Sequence, residues 1–379
     1  MARTAGPEGG GVPPPLRSRR FAGSAPVPPA EAARRLGVRP GPWLRAAARR
    51  LPLRFTPFFL DLVDPDDPDD PLRRIAWPDP REVEPDPGGL PDPVGERRLR
   101  PHPLVVRKYP DRAVFLVTTR CPVYCRFCFR APPGREPVDG EIDGAVAALA
   151  RLAAGEDGPP VREVILSGGD PFFLADGRLA GIVARLAAIP GLRAIRVHTR
   201  VPVVDPPRVT AGFARELAAA GAGRLRWVGL HVLHPRELSA GFDRAVALLG
   251  EAGLRCGAQA VLLRGVNDRP DVLGDLFRGL WERGIAAWYL HHPDRVAGAA
   301  AFRVPIAEGR RLWRALRGTL PGPALPAYVL DLPDGSGKVP VDWLGPGGEP
   351  GLWVLRRPGG RRVEVREYPV PQAPGGGGP

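Results

Sequence analysis

An α/β fold built on a parallel sheet is predicted by two features of the chain from about residue 113 onward. Short apolar runs recur, AVFLVTT, REVILSGG, LRAIRVHT, LRWVGLHV, RCGAQAVLL and AAWYLHH, each bounded by turn residues and holding too few positions for a helix. Between them lie GEIDGAVAALARLAAG, DGRLAGIVARLAAI, VTAGFARELAAAG, GFDRAVALLGEAG and DVLGDLFRGLWERG, with apolar residues at helical spacing. Six strands alternating with such helices predict parallel pairing through right-handed crossovers. A complete eight-unit barrel, a partial barrel and an open doubly wound sheet share this alternation. In all of them the loops after the strands' carboxyl ends carry the chemistry.

Upstream, residues 1–29 are rich in Pro, Gly, Ala and Arg without periodicity, and residues 369–379 close the chain in the same style. Both ends are expected to be disordered. Residues 30–100 form an extension, helix-like around AEAARRLG and GPWLRAAARRL and then interrupted by LVDPDDPDDPLRR, whose prolines and acids predict an extended connector. The core is assigned to residues 101–320 and a C-terminal segment to 321–368.

The 379 residues, 44% of them apolar, suffice for one large core with extensions. No apolar run approaches the ~20 residues of a membrane helix, and the N-terminus lacks the apolar stretch of a secretory signal. A cytoplasmic protein without membrane partners is expected. The net charge of +13 comes from arginines scattered along the whole chain, with no aromatic-interleaved basic stripe, so nucleic-acid binding is set aside.

Three of the four cysteines, Cys121, Cys125 and Cys128, fall within TTRCPVYCRFCFR directly after the first of the six strands. Three thiolates can hold three irons of a cubane cluster and leave the fourth open, whereas a structural zinc wants a fourth ligand. Clustered cysteines fit a reducing compartment. Cys256, in an apolar run, is expected to be a core thiol. Only two of the 54 basic Lys and Arg residues are lysines, Lys108 and Lys338, and only an amine can attach to a cofactor aldehyde. Lys338 sits in the Gly-rich DLPDGSGKVPV, Lys108 in RKYPDR.

The cysteine triplet after a strand resembles the radical S-adenosylmethionine (radical SAM) superfamily. Its flanks, TPFFLDLVD with the DPxDPxDPxR-like segment, SGGD, AQAVLLRGVND and the Lys338 segment, are similar to the lysine 2,3-aminomutase family from about residue 51 to 368. The resemblance implies a radical SAM partial (β/α)6 barrel with a helical N-terminal and a short C-terminal extension. It also implies a [4Fe-4S] cluster on Cys121, Cys125 and Cys128, with S-adenosylmethionine bound by Ser167, Gly168, Gly169, Asp170 and Gln259. Pyridoxal 5'-phosphate is implied on Lys338, contacted by Lys108, Tyr109 and Arg112. The substrate L-lysine is implied to be held by Arg130 at its α-carboxylate and by Asp294 and Asp331, both after predicted strands, at its side-chain ammonium. Two anions favour lysine over glutamate.

The implied reaction is a 1,2-amino migration from L-lysine to β-lysine, with an external reductant such as flavodoxin or ferredoxin. A homo-oligomer is expected. Clostridial-type members carry an interface zinc on a cysteine just after the GVND segment. Here that position is Arg269, so no zinc is predicted and their tetramer is not carried over. YLHHPDRVAGAAAF looks closer to the branch supplying β-lysine for elongation factor P modification, while Asp331 and the sequence after Lys338 look closer to the catabolic enzymes. His231 and His234 of HVLHP also match the family, without an assigned role.

Overall fold

The computed structural model describes residues 23–130, 135–357 and 360–367. The expected tails therefore lie mostly outside the described residues. Residues 23–29 are held: the Ser24 hydroxyl donates to Asp205 at 2.6 Å, and Val27 N–H to the Phe55 carbonyl at 2.8 Å.

One sheet organises the described residues. Its strands are β1 (Val105–Val106), β2 (Arg112–Thr118), β3 (Glu163–Gly168), β4 (Ala194–Thr199), β5 (Leu225–His231), β6 (Arg255–Val261), β7 (Ala286–His291), β8 (Ala327–Asp331) and β9 (Lys338–Pro340). They lie side by side in chain order. β2 to β8 are parallel, with registers such as Ala113 opposite Val164, while β1 and β9 run antiparallel at the two edges. A doubly wound sheet reverses its strand order in the middle, and this one does not. The parallel strands follow one another in unbroken chain order, as in a partial barrel, and no pairing among the described residues joins β1 to β9.

β8 is a seventh parallel strand beyond the six counted from periodicity. It becomes parallel because a helix over Ile306–Arg317 crosses back to it. IAEGRRLWRALR has its apolar positions at helical spacing but is so rich in arginine that its apolar stripe is narrow.

The helices are α1 (Pro29–Arg35), α2 (Leu44–Arg50), α3 (Pro57–Asp61), α4 (Pro71–Ala76), α5 (Asp139–Ala154), α6 (Asp176–Ala187), α7 (Val201–Val204), α8 (Ala211–Ala220), α9 (Ala240–Glu251), α10 (Pro270–Glu282) and α11 (Ile306–Arg317). α5 buries Ile142, Leu149 and Leu152, and α10 buries Leu273, Leu276, Phe277 and Leu280, as their spacing requires. Together with Phe115, Leu166, Val197 and Leu290 of the strands they form one core. Strands β10 (Leu344–Pro346), β11 (Leu352–Arg356) and β12 (Arg362–Arg366) make a small antiparallel sheet beside α11. Arg310 joins the two, donating to the Val341 carbonyl at 2.7 Å and lying over the Trp353 ring. Among the described residues no helix is long and apolar enough to cross a membrane.

The acidic connector is not simply extended. Asp70 is fully buried at the start of α4, accepting Arg73 N–H at 2.8 Å and Asp64 N–H at 3.0 Å and pairing with Arg236.

The N-terminal extension clamps the cysteine loop. Arg126, between Cys125 and Cys128, is fully buried. It pairs with the Glu82 carboxylate at 2.6 Å and donates to the carbonyls of Leu51 and Ala47 at 3.0 Å each. Arg50 of α2 reaches the same carboxylate at 2.7 Å and the Arg126 carbonyl at 2.7 Å. A buried carboxylate that loses a partner costs about 3–5 kcal/mol. Arg126→Met should cost about 3 kcal/mol, the lower end because Arg50 stays with Glu82. Denaturant unfolding of the two proteins checks this, and a loss below ~1 kcal/mol contradicts the clamp.

Candidate active site

The three cysteine side chains lie in the loop after β2, half-buried. Burial, then the Asp170 carboxylate and the other two sulfurs, pushes the Cys121 thiol well up. Burial and then Cys125 push Cys128 up to about 11. Burial also raises Cys125, although Arg200 opposes it by donating to Cys125 Sγ at 2.9 Å. Thiols that repel one another's ionised forms need a cationic group to become thiolates, and an iron cluster supplies one. No three such side chains among the described residues converge on a single ion. Three free thiols on one loop are the donor chemistry of an iron-sulfur cluster, which Cys121, Cys125 and Cys128 would hold.

The loop after β3 packs against this one through its glycines. Gly168 has φ +117°, and a Cβ there would sit 2.1 Å from the Thr118 carbonyl oxygen; one on Gly169 would sit 2.2 Å from that of Arg120. Both glycines are thus needed for backbone approach to the chain entering the cysteine loop. Asp170 is buried and already occupied. Its carboxylate accepts the Thr199 hydroxyl at 2.6 Å, Arg200 N–H at 2.6 Å and Phe172 N–H at 3.0 Å, tying β3's loop to the end of β4. Ser167 accepts from Arg130 Nη1 at 3.0 Å. Gln259, inward on β6, bridges His198 Nδ1 and His291 Nε2, each at 3.4 Å.

Across the mouth, the ends of β7 and β8 bring charges together. Asp331 pairs with Lys108 at 2.8 Å and with Lys338 at 3.0 Å. Against the cost of burial, the two ammonium groups hold its carboxyl well below the usual carboxylate range. Lys338 is raised in turn by Asp331, again against burial. Asp294 goes the other way: burial, then the Asp331 charge, pushes it up. Lys338 N–H donates to the Tyr109 hydroxyl at 2.8 Å, and Arg112 lies 4.1 Å from the Tyr109 ring centre. Lys338, Lys108, Tyr109 and Arg112 thus form one neighbourhood with an amine and two further cations, a set that fits an aldehyde bearing a phosphate.

Arg130 reaches the same chamber, but its Nε and Nη2 are bound by the Glu96 carboxylate, with Nε at 3.0 Å. Against burial, Arg130 holds Glu96 below its usual range. A guanidinium carries five N–H groups, so one on Nη1 and one on Nη2 remain beyond the bonds to Glu96 and Ser167. Glu96 was not marked by any sequence signal, because an acid in a Pro- and Arg-rich loop reads as solvated. Glu82, Arg126, Arg200 and Glu237 were missed for the same reason: their partners are far away in the chain.

His234 caps a turn, accepting Arg236 N–H at 3.2 Å, and His231 packs its ring 6.1 Å from Phe127. Cys256 packs against the core at the opposite end of the strands, where burial pushes its thiol up to about 12. Arg269 is paired with Asp271.

A wall of parallel strands in chain order, with a three-cysteine loop after its first parallel strand, is the architecture of a radical SAM protein, and the Radical SAM superfamily matches residues 115–276. The chain is 36% identical over 297 residues to an L-lysine 2,3-aminomutase of Clostridium subterminale, covering 77% of this chain and 69% of that protein. It is 34% identical over 298 residues to an L-lysine 2,3-aminomutase of Escherichia coli strain K12, covering 79% and 85%. A glutamate 2,3-aminomutase of Clostridioides difficile strain 630 is 31% identical over 288 residues, covering 76% and 66%. The chain belongs to the lysine 2,3-aminomutase family of the radical SAM superfamily.

The buried histidines give the chamber a pH dependence. Burial holds His231, His291 and His292 neutral, pushing each down to about 3. Unfolded, each binds its proton near pH ~6.5. Between those values the unfolded chain carries more protons, so their contribution is complete above the unfolded value and is lost as pH falls. The slope is about 1.4 kcal/mol per pH unit for each histidine. Urea unfolding at pH 7 and pH 5 reads this, and a midpoint that does not drop at pH 5 contradicts it.

Proposed function

We propose that this protein moves the α-amino group of L-lysine to C3, giving β-lysine, in an isomerisation that neither adds nor removes atoms. The observation that carries the reading is the carboxylate pair Asp294 and Asp331 beside Lys338, with the Arg130 fork in the same chamber. Cys121, Cys125 and Cys128 would hold the [4Fe-4S] cluster. Ser167, Gly168, Gly169, Asp170 and Gln259 would line S-adenosylmethionine, and Lys338, Lys108, Tyr109 and Arg112 would hold pyridoxal 5'-phosphate. When bound, these groups supply a 5'-deoxyadenosyl radical for hydrogen abstraction and a delocalised system across which nitrogen can migrate, with the electron coming from an external reductant.

The chain's own residues select and place the substrate. The two N–H groups left on Arg130 meet an α-carboxylate in the forked geometry guanidinium favours. Asp331 and Asp294 take the distal ammonium, and this deepens the selection. With the Lys338 amine given over to the cofactor, Asp331 would have one ammonium partner fewer, and the substrate's distal ammonium would take that place. A cation between the two acids also favours ionised Asp294, so lysine binding should release a proton from that carboxyl. Glutamate would bring a third anion to the same place, which the pair repels. This separates the reading from that of the glutamate-acting relative.

Anaerobic reconstitution with S-adenosylmethionine, pyridoxal phosphate and reductant is the direct test. β-Lysine should form from lysine, and no amino migration should be seen with glutamate. A loaded cluster without β-lysine leaves an iron-sulfur protein without this catalysis. Borohydride trapping should label Lys338; a label on Lys108 overturns the attachment site. Asp331→Asn should weaken lysine binding by about 2–5 kcal/mol, as expected for truncating a buried charge pair. Unchanged affinity removes Asp331 from substrate recognition.

A further inference from the structure

Arg200, just after β4, points its guanidinium at the cysteine loop. The residue is 6% exposed. Nη1 donates to Cys125 Sγ at 2.9 Å, and Nη2 donates to Glu237 Oε1 at 2.6 Å. Nε is buried without a hydrogen-bond partner. Two anchors fix this side chain. Its own backbone N–H donates to Asp170 Oδ2 at 2.6 Å, so the loop after β3 sets where the arm begins. Glu237 is fully buried, and its second oxygen accepts the N–H groups of Leu233 at 2.6 Å and His234 at 3.3 Å, so the carboxylate cannot turn away. A cation is therefore held against one of the three sulfurs, backed by an anion that partly cancels it.

We propose that Arg200, positioned by Glu237 and Asp170, sets the reduction potential of the iron-sulfur cluster through its hydrogen bond to Cys125. Reduction adds one negative charge to the cluster. A donor on a ligand sulfur and a nearby cation both stabilise that added charge, and hydrogen bonds to sulfur are among the determinants of cluster potential. Glu237 works in the opposite sense, because its carboxylate destabilises an added negative charge while keeping the guanidinium in place. The arrangement is a balanced pair, and its two halves act on the potential with opposite signs.

The inference rests on the cluster at Cys121, Cys125 and Cys128 and not on the amino-acid substrate. Its test contains neither lysine nor pyridoxal phosphate, so its failure leaves the lysine reading untouched. The full chain is reconstituted anaerobically, iron and sulfide are counted, and the cluster is titrated with dithionite and mediators while the reduced form is read by electron paramagnetic resonance. At a fixed potential, Arg200→Met should lower the reduced-to-oxidised ratio about tenfold, equivalent to about 59 mV for one electron. Glu237→Gln should raise that ratio severalfold, and Arg200→Lys, which keeps the charge, should fall between wild type and Arg200→Met. Where Arg200→Met takes up no cluster, Glu237→Gln and Arg200→Lys decide. Opposite shifts support the proposal. Ratios unchanged within about twofold, or shifted in the same direction by both variants, overturn it and leave Arg200 a packing residue of the loop.

Discussion

The buried ion pair between Arg126 and Glu82 is the constraint on which the active end of the molecule depends. A cysteine loop alone is a flexible excursion after β2, with nothing in its local sequence to fix three sulfurs. Arg126 lies inside that loop, fully buried, and its guanidinium is consumed by Glu82 and by the carbonyls of Ala47 and Leu51. All of these partners belong to the N-terminal extension. The extension is therefore part of the site's support. Taking both charges out of water is costly, and the geometry offsets part of that cost by giving all three Arg126 nitrogens and both Glu82 oxygens hydrogen-bond partners.

A second electrostatic arrangement governs the mouth. Asp331 carries two ammonium partners, Asp294 makes no ion pair among the described residues and is pushed up by burial and the Asp331 charge, and Arg130 is half-neutralised by Glu96. Cations and anions are nearly matched before any ligand arrives. A ligand that engages the Lys338 amine leaves a deficit of positive charge next to Asp331, and a ligand with a distal ammonium fills it. Under the proposed function, the two binding events would be coupled through one carboxylate.

Much of the fold was legible because periodicity reports burial directly. The six predicted strands coincide with β2 to β7, and the glycines of SGGD were recognisable as a place of close backbone approach. The sequence marks a strand ending at Asp331, yet β8 falls outside the six alternating units because α11, which carries the chain back to it, is dominated by arginine. The family resemblance marked Cys121, Cys125, Cys128, Lys108, Lys338, Asp294, Asp331 and Arg130, and the structure brings the last five into one chamber. Illegible were the acids that hold the arginines. Glu82, Glu96 and Glu237 act through partners 44, 34 and 37 positions away, and no local pattern encodes such pairs. The occupied state of Asp170 was hidden in the same way, since its partners come from the end of β4.

Both lysines of the chain meet at one carboxylate. Histidines aside, every other basic residue of the sequence is arginine, so both side-chain amines stand beside this one carboxylate. A carbonyl reagent therefore meets no primary amine on any other side chain of this sequence. Side-chain amine chemistry, which in most proteins samples many surface sites, becomes here a survey of a single address, the two lysines at Asp331.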